Sequence, residues 1–352
     1  MSKPRIAVVG IGRLGSFHTN LVNCGDLFDL IAIVEPVEAA RHVATEKFAI
    51  RGVADISEII DDIECAIIAT PTLYHFEVAQ TLLNAGKHLL IEKPITVDIA
   101  QADELISLAE NNNLVLQVGH VERFNPAFSS VAKHVATPMF IDAVRTSNYS
   151  FRSTDIGVTL DLMIHDIDLI LSLVDSPITA IDAVGTVVIG PHEDIAHARL
   201  TFENGVFANL TASRVNSEPQ RTMRIEGPQG STTIDFEGAA HTIDVSERAN
   251  ALQIDLHNTS QLDLDDLQAR FFIDYLPKKE ITVPDSNALA LEQQDFATAI
   301  IHGGSVQVSG KDGRNALAVA ITIANLIRNK HYSVPHAIKG PHFATDTAKT
   351  RS

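Results

Sequence analysis

The chain has 352 residues, of which 45% are hydrophobic and 20% are charged, and its formal net charge is −17. This length exceeds what a single hydrophobic core comfortably organises, so we expect two domains. The acidic balance argues against nucleic acid and anionic membranes as partners, because both attract basic surfaces.

The cysteine count and the amino-terminal residues predict a compartment. Only two cysteines, Cys24 and Cys65, occur, and two cannot form a disulfide framework or a cysteine-rich zinc site. The first apolar run begins at Arg5, which leaves no room for a signal peptide. No apolar run approaches the roughly 18–20 residues that a membrane helix needs. We therefore expect a cytoplasmic protein.

The first predicted strand, residues 5–9, leads into a glycine-rich turn, Gly10-Ile-Gly12-Arg13-Leu14-Gly15, and a helical pattern follows. G-x-G-x-x-G between a strand and a helix is typical of dinucleotide-binding domains. The first glycine permits the tight turn, the second lets a pyrophosphate approach the backbone, and the third lets helix and strand pack closely. The N–H groups at the helix start would bind the phosphates. A ligand-free glycine turn is the alternative that the motif alone leaves open.

The second predicted strand favours the cofactor-binding interpretation. It runs from Leu30 and ends at Glu35, twenty residues after Gly15. A carboxylate at this position accepts hydrogen bonds from the adenosine ribose and repels a 2′-phosphate, which predicts NAD over NADP. Arg41, one helical turn further along, is the residue that a 2′-phosphate would recruit instead.

The strand–helix alternation continues through the first third of the chain. The pattern predicts strands at 65–70, 88–91 and 114–119 and helices at 76–85 and 100–110, the first of these closed by Gly86. Nearly continuous apolar strands that alternate with helices indicate a parallel sheet covered on both faces, the doubly wound Rossmann arrangement. The turn that begins at Thr70 and Pro71 leaves the third strand where a cofactor would cross. A simple turn is an equally good interpretation of those two residues.

Glu92, Lys93 and Pro94 end the strand at 88–91. Pro94 stops the strand because it has no N–H to donate to the sheet. A lysine at the carboxyl end of a buried strand lies where open α/β sheets bind ligands. Taken alone, this segment favours an ordinary solvated lysine at position 93.

The second half of the chain has a different pattern. Six segments rich in β-branched residues, separated by short turns, predict an open, mainly antiparallel sheet. These segments are 139–148, 178–189, 196–202, 206–213, 222–226 and 232–236, with helices at 161–173, 287–302 and 312–329. The predicted domains are residues 1–120 for dinucleotide binding, 121–330 for substrate binding and oligomerisation, and a carboxyl-terminal arm or disordered tail at 331–352.

The helix at 161–173 is apolar yet begins with Asp161 and His165, which lie four residues apart on one face. Two titratable groups on a buried helix start are costly unless they are paired or used, which favours function. The alternatives are a helix N-cap for Asp161 and a core histidine for His165. A metal site is the rival explanation, but Asp166 points away from that face and no zinc-binding spacing is present, so we expect no metal.

Together these features resemble the glucose–fructose oxidoreductase and inositol dehydrogenase family (Gfo/Idh/MocA) over about residues 5–329. Glu92-Lys93-Pro94 followed by Asp161-x-x-x-His165-Asp166 carries the resemblance more specifically than the glycine motif does. It implies a Rossmann domain followed by an α/β domain with a large open sheet. It also implies catalytic roles for Lys93, Asp161 and His165 and a cis Lys93–Pro94 bond.

The predicted cofactor contacts follow from the glycine motif, the strand ends and the resemblance. They are Gly10, Gly12, Arg13, Leu14, Gly15, Glu35, Thr70, Pro71, His75, Glu92 and Lys93, and the predicted cofactor is NAD.

The substrate is expected to be a sugar. Residues 120–225 are rich in arginine, which suits phosphate or carboxylate recognition, although pairing with local acids explains such a bias equally well. Residues 119–126, 151–155 and 161–166 resemble the nucleotide-sugar branch, which includes dehydrogenases that oxidise the 3-hydroxyl of UDP-N-acetylglucosamine. The predicted substrate contacts are Lys93, Arg123, Asn125, Arg152, Asp161 and His165.

Two alternatives remain open from the sequence. One is an inositol or free-sugar dehydrogenase, and the other is a non-catalytic NAD-binding sensor. The resemblance further implies a homo-dimer or homo-tetramer, and the expected partner is a small-molecule sugar or nucleotide sugar.

Overall fold

The structure is a computed structural model that describes residues 3–333 except 133–134, 136, 152–155, 190 and 256–257. Arg152, a predicted substrate contact, lies outside the described residues. The predicted carboxyl-terminal arm does so from residue 334 onward.

Strands and helices alternate through the first part of the chain, because short β-branched runs are separated by amphipathic helices. The order is β1 (Arg5–Val9), α1 (Arg13–Cys24), β2 (Asp29–Val34), α2 (Glu38–Phe48), β3 (Gly52–Val53), β4 (Cys65–Ile68), α3 (His75–Asn84), β5 (His88–Glu92), α4 (Ile99–Asn111) and β6 (Leu116–Gly119).

Strands β1 to β6 form one parallel sheet in the order β3-β2-β1-β4-β5-β6. Val9, the last residue of β1, pairs with Val34 on one side and Ile68 on the other, so the ends of β1, β2 and β4 lie side by side. Glu92 pairs with Gly119 at the end of β6. The prediction of a parallel Rossmann sheet is confirmed. Only the two-residue strand β3 was not predicted.

The second part of the chain is dominated by strands. The elements are α5 (Pro126–Ala132), β7 (Phe140–Thr146), α6 (Ile164–Leu173), β8 (Ile178–Thr186), β9 (Ile195–Phe202), β10 (Phe207–Ser213), β11 (Gln220–Gly227), β12 (Gly230–Asp235), β13 (Ala239–Asp244), α7 (Glu247–Ala251), α8 (Gln261–Arg270), β14 (Lys278–Ile281), α9 (Ala288–His302) and α10 (Gly310–Ser333).

Strands β7 to β14 form an eight-stranded sheet in the order β14-β13-β12-β11-β7-β10-β9-β8. All neighbouring pairs are antiparallel except β7 and β10, which are parallel. The predicted large, mainly antiparallel sheet is confirmed. The sequence prediction did not include β13 or the edge strand β14.

The chain packs into two compact units. The first comprises residues 3–124 and 286–319, and the second comprises the described residues of 125–285 and 320–333. The first boundary lies near the predicted one at residue 120. The rest of the packing differs from the predicted 121–330 domain, because Phe296 and Ala297 of α9 are buried in the core of the first unit beside β1 and β4. Within the part of the chain described, no helix combines the length and apolarity needed to cross a membrane.

Candidate active site

The three motif glycines in the turn between β1 and α1 meet different requirements. Gly10 has a φ of +88°, which favours glycine. A Cβ on Gly15 would lie 1.9 Å from the carbonyl oxygen of Gly10, so α1 can approach the turn only without a side chain there. Gly12 differs, because its φ is −65° and a Cβ there would meet no protein atom within 4 Å. No protein contact therefore requires glycine at this position, and the open space fits the pyrophosphate of a dinucleotide.

The start of α1 leaves its N–H groups to a ligand. Its N-cap residue, Gly12, provides no side-chain hydrogen bond, and no acidic residue lies in the first turn. The first four N–H groups of a helix lack partners within the helix, and an anionic phosphate satisfies them. Of the predicted contacts here, Leu14 is exposed and the Arg13 guanidinium lies 5.8 Å from the centre of the Phe17 ring.

Glu35 follows β2, and its carboxylate lies beside the glycine turn. Oε2 accepts the N–H of Ile11 at 3.1 Å, and Oε1 accepts the N–H of Val37 at 3.0 Å. Arg41 Nη1 donates to the carbonyl oxygens of Glu35 at 2.6 Å and Pro36 at 3.2 Å. The carboxylate therefore has a fixed position suited to ribose hydroxyls, while the guanidinium of Arg41 is engaged with the backbone.

The turn after β4 contains Thr70 and Pro71. The Thr70 hydroxyl is buried, and no hydrogen-bond partner for it is found among the described residues. A buried hydroxyl without a partner is costly, and a bound cofactor would relieve that cost. This orphaned group and the open space at Gly12 together show that the first unit fits a dinucleotide.

His75, a predicted cofactor contact, has a different environment from the one expected. It is 1% exposed, and both ring nitrogens contact backbone carbonyl oxygens. Nδ1 lies 2.9 Å from the oxygen of Pro94, and Nε2 lies 2.9 Å from the oxygen of Thr70. His75 therefore links two turns of the protein.

Glu92 and Lys93 come at the end of β5. The Lys93–Pro94 peptide bond is cis, as the resemblance implied. Glu92 is buried and its Oε2 accepts the N–H of Lys93 at 3.2 Å, while the Lys93 side chain is half-buried. Gly119 makes room for this carboxylate, because a Cβ there would lie 3.0 Å from Glu92 Oε2.

A buried hydrogen-bond relay supports Glu92 from α1 and α9. Nε2 of His18 lies 2.9 Å from Glu92 Oε1, and the amide nitrogen of Gln293 lies 3.0 Å from His18 Nδ1 and 3.4 Å from the His18 carbonyl oxygen. Because an amide N–H can only donate, Nδ1 accepts and the ring proton lies on Nε2. Burial opposes ionisation of Glu92, but the hydrogen bond from His18 and the charge of Lys93 lower the pKa of Glu92.

Glu292 adjoins this relay. Its carboxylate is fully buried, and neither oxygen has a hydrogen-bond partner within the described chain. Burial first, and then the nearby Glu92 carboxylate, raise the pKa of Glu292 well above its usual range and favour the neutral acid.

The ligand atoms of His18, Glu92 and Glu292 lie within 4.8 Å of one another, a spacing that a metal ion can bridge. However, metal binding needs a lone pair on the ligating nitrogen, and Nε2 of His18 carries the ring proton. The group fits a protonated Glu292 beside a hydrogen-bonded Glu92 better than it fits a metal ion.

In the second unit, Asp161 lies in a π-helical turn, Thr159–Met163, and His165 is the second residue of α6. Both side chains are half-buried. The N-cap alternative for Asp161 is wrong, because the N-cap residue of α6 is Met163. Asp166 accepts three hydrogen bonds from Arg145, at 3.1, 3.0 and 2.8 Å, and is therefore committed to a buried ion pair.

Several arginines of residues 120–225 form ion pairs within the second unit. Arg145 lies 2.8 Å from Asp166, Arg214 lies 2.7 Å from Asp194, and Arg224 lies 2.7 Å from Glu226. These pairs favour the local-pairing interpretation of the arginine bias over the anionic-substrate interpretation.

Two predicted substrate contacts have contacts within their own units. Asn125 Nδ2 donates to the Phe236 carbonyl oxygen at 3.1 Å, and Oδ1 accepts the Ala127 N–H at 3.0 Å. Arg123 is buried, and its Nη2 lies 4.0 Å from Asp312 Oδ1. These contacts give both residues structural roles, and their contact with substrate stays a prediction.

The sequence analysis missed the contribution of His18 and Gln293 to the relay and the adjoining Glu292. His18 and Gln293 are separated by 275 positions, and no local pattern connects the two helices. The one available signal was polar residues on the apolar faces of α1 and α9.

The chain belongs to the Gfo/Idh/MocA family of oxidoreductases. The family model described as an oxidoreductase family with an NAD-binding Rossmann fold matches residues 4–120, and the model of the Gfo/Idh/MocA carboxyl-terminal domain matches residues 130–233. The protein is thus an oxidoreductase whose first unit is an NAD-binding domain.

Named relatives cover almost the whole chain. UDP-N-acetylglucosamine 3-dehydrogenase of Acidithiobacillus ferrooxidans is 34% identical over 324 residues, which are 91% of this chain and 96% of that protein. The NAD-dependent scyllo-inositol 2-dehydrogenase of Bacillus subtilis is 26% identical over 92% of this chain and 94% of that protein. A solved structure of the Acidithiobacillus enzyme superimposes with a TM-score of 0.82 at 30% identity and covers 94% of this chain and 99% of that one.

Proposed function

We propose that the protein is an NAD-dependent dehydrogenase that oxidises a secondary hydroxyl of a sugar, the 3-hydroxyl of a UDP-N-acetylhexosamine. The observation that carries the substrate class is the extent of one match. Identity of 34% with UDP-N-acetylglucosamine 3-dehydrogenase runs over 91% of this chain and 96% of that protein. The match therefore includes the substrate half of the chain as well as the cofactor domain, whose sequence is similar across dehydrogenases of many substrates.

The family motif assigns three residues to the chemistry. His165 accepts the proton of the reacting hydroxyl as general base. Lys93 donates a hydrogen bond to the same oxygen and stabilises the negative charge that develops there. Asp161 orients the pair or modulates its charge.

The cofactor would be held by the glycine turn, Glu35 and the turn after β4. Bound NAD would supply the hydride acceptor. The hydrogen bonds of Glu35 to Ile11 and Val37 fix its carboxylate beside the turn, which supports NAD over NADP.

An inositol or free-sugar dehydrogenase is the second candidate. The 26% identity with scyllo-inositol 2-dehydrogenase over 92% of this chain supports it. A non-catalytic sensor is the third, and the presence of Lys93, Asp161 and His165 argues against it.

A substrate panel separates the three candidates. The purified protein is incubated with NAD and, in turn, UDP-N-acetylglucosamine, UDP-N-acetylgalactosamine, myo-inositol, scyllo-inositol and glucose, and NADH formation is followed by absorbance. We expect turnover with a UDP-N-acetylhexosamine. Turnover with inositol or glucose alone would favour the second candidate, and NADH binding without turnover on any substrate would favour the sensor.

Lys93→Ala and His165→Ala test the catalytic assignment. Each should lower kcat by about 10²–10⁴-fold, because each removes a group that acts on the reacting oxygen. NADH affinity, measured by fluorescence titration, should persist in both. Lys47→Ala and His42→Ala, on α2, serve as controls, and full activity of either test variant would contradict the assignment.

We extend the proposal to a cytoplasmic location and to a homo-dimer or homo-tetramer. The location is supported by the low cysteine count, and the association is supported by the family resemblance. Light scattering coupled to size-exclusion chromatography measures the number of subunits.

A further inference from the structure

His75 links two turns of the first unit. The proposed function assigns cofactor contacts to one of them and a substrate contact to the other. One turn follows β4 and carries Thr70. The other follows β5 and carries Lys93 and Pro94. His75 is the first residue of α3 and projects between them, with Nδ1 2.9 Å from the Pro94 oxygen and Nε2 2.9 Å from the Thr70 oxygen.

The ring is well placed to hold both turns rigidly. It is 1% exposed, so water does not compete for its hydrogen bonds. The Pro94 carbonyl is one residue from Lys93, and a bond that fixes this carbonyl restricts the backbone from which the lysine side chain extends. Loss of the bond would leave the Pro94 carbonyl buried without a donor, which is costly.

Both partners of the ring are acceptors, so its protonation state sets the number of bonds. A neutral imidazole has one N–H and donates to one carbonyl at a time, whereas an imidazolium donates to both. Burial lowers the pKa of His75, while the carbonyls of Thr70, Pro94 and Ile95 and the negative charge of Glu92 act in the opposite direction. Glu92, at the end of β5, is the charged group that raises the pKa of this ring among the described residues.

We propose that His75 is a positioning residue that does not itself contact the cofactor: its ring bridges the Pro94 carbonyl beside Lys93 and the Thr70 carbonyl of the cofactor turn, and when neutral it donates its N–H to one of them at a time. The proposal rests on the proposed function, because it takes Lys93 as the group that acts on the substrate oxygen.

Two conservative variants separate the two bonds. The amide nitrogen of asparagine takes the place of histidine Nδ1, so His75→Asn keeps the donor to Pro94 and loses the one to Thr70. The amide nitrogen of glutamine takes the place of Nε2, so His75→Gln keeps the donor to Thr70 and loses the one to Pro94. His75→Leu loses both.

The experiment measures kcat and KM with NAD and UDP-N-acetylglucosamine, NADH affinity by fluorescence titration, and urea stability for each variant. We expect His75→Leu to lose about 10²-fold in kcat, as a misplaced catalytic group does, and to bind NADH more weakly. His75→Asn should retain more kcat than His75→Gln, and His75→Gln should retain more NADH affinity than His75→Asn.

A matched control is His88→Leu. His88 is the first residue of β5, the strand that leads to Lys93, and its Nδ1 accepts the N–H of Val115 at 2.9 Å. This variant loses a histidine–backbone bond and some stability but should keep kcat and NADH affinity. Parallel losses of kcat, NADH affinity and stability in all three His75 variants would overturn the proposal, and so would wild-type kinetics of His75→Leu.

NADH affinity is measured without substrate, so a wrong substrate assignment would leave the predicted order of affinities testable. If Lys93→Ala kept full turnover, the catalytic role of Lys93 would fail, whereas absence of turnover by the wild type on the substrate panel would contradict the proposed function itself.

Discussion

Glu292 shows how burial decides the chemistry of a single side chain. The carboxylate is 0% exposed, has no hydrogen-bond partner in the described part of the protein and lies near the Glu92 carboxylate. A buried carboxylate without a partner favours its neutral form. Glu92, also buried, stays ionised because His18 donates to it and Lys93 lies near it. The two neighbouring glutamates therefore differ in charge because their hydrogen bonds and their nearest charges differ.

Glu292→Gln tests this difference through the pH dependence of stability. The pKa of Glu292 is raised in the folded state, so between about pH 4.5 and that raised value the folded state binds more protons than the unfolded state. The free energy of unfolding of the wild type therefore falls as pH rises through this window. Glutamine cannot ionise, so the stability of Glu292→Gln relative to wild type should increase with pH.

Urea unfolding at about pH 5 and about pH 8 measures the effect. The buried amide of Glu292→Gln adds a cost of its own, but that cost does not depend on pH, so the difference between the two pH values is diagnostic. Glu237→Gln, at an exposed position, is the control. A stability difference from wild type that stays constant with pH would contradict the neutral-acid assignment.

The turn between β1 and α1 shows how much of one element can be read from its residue types. Its three glycines were predicted to serve a turn, a ligand and a helix–strand contact, and the geometry provides a distinct reason for each. Gly10 needs its positive φ, Gly15 needs the space beside the Gly10 carbonyl, and Gly12 has space around it that no protein atom fills.

Gly12→Ala and Gly15→Ala should separate ligand binding from folding. A Cβ at position 12 meets no protein atom within 4 Å and the φ of −65° suits alanine, so stability should stay near that of wild type. The same Cβ blocks close approach of a pyrophosphate, so NADH affinity should fall by at least about tenfold. Gly15→Ala should lose about 1–3 kcal/mol of stability, because its Cβ would lie 1.9 Å from the Gly10 oxygen.

Thermal unfolding and NADH fluorescence titration of the two variants provide the measurement. Unchanged NADH affinity in a folded Gly12→Ala variant would show that no pyrophosphate approaches this turn.

The elements that the sequence did not predict have weak local signals. β13 contains Ala239, Ala240 and His241, and β14 begins with two lysines, so neither has the β-branched alternation of a strand. Their extended conformation comes from pairing, β13 with β12 and β14 with β13. The π-helical turn that holds Asp161 was missed for a similar reason, since no residue pattern distinguishes it from the start of an α-helix.

At the scale of the whole molecule, the core of the first unit depends on a helix far away in the sequence. α9 begins more than 160 residues after β6 ends, yet Phe296 is 0% exposed and packs with Phe28, their ring centroids 6.0 Å apart. The same helix supplies Gln293 to the His18–Glu92 relay. A fragment ending at residue 120 would therefore lack part of its own core.

Phe296→Ala tests this dependence. Removing a fully buried phenylalanine should cost about 3–5 kcal/mol of stability, through lost burial and the cavity left behind. Phe272→Ala, at a position 61% exposed, should change stability by about 0.5 kcal/mol or less. Urea unfolding followed by circular dichroism compares the two, and similar small losses would contradict a core role for α9.

The sequence by itself determined the features that depend on local pattern. The glycine spacing, Glu35 and the alternation of apolar strands with helices specified a parallel dinucleotide-binding sheet, because each is a property of consecutive residues. Lys93-Pro94 and Asp161 to His165 specified the family because the motifs are short and contiguous. Only the tertiary structure decided which partner each polar group has. It assigned Arg145 to Asp166, His75 to two carbonyl groups and Glu92 to His18, because these contacts join positions that the chain brings together only when it folds.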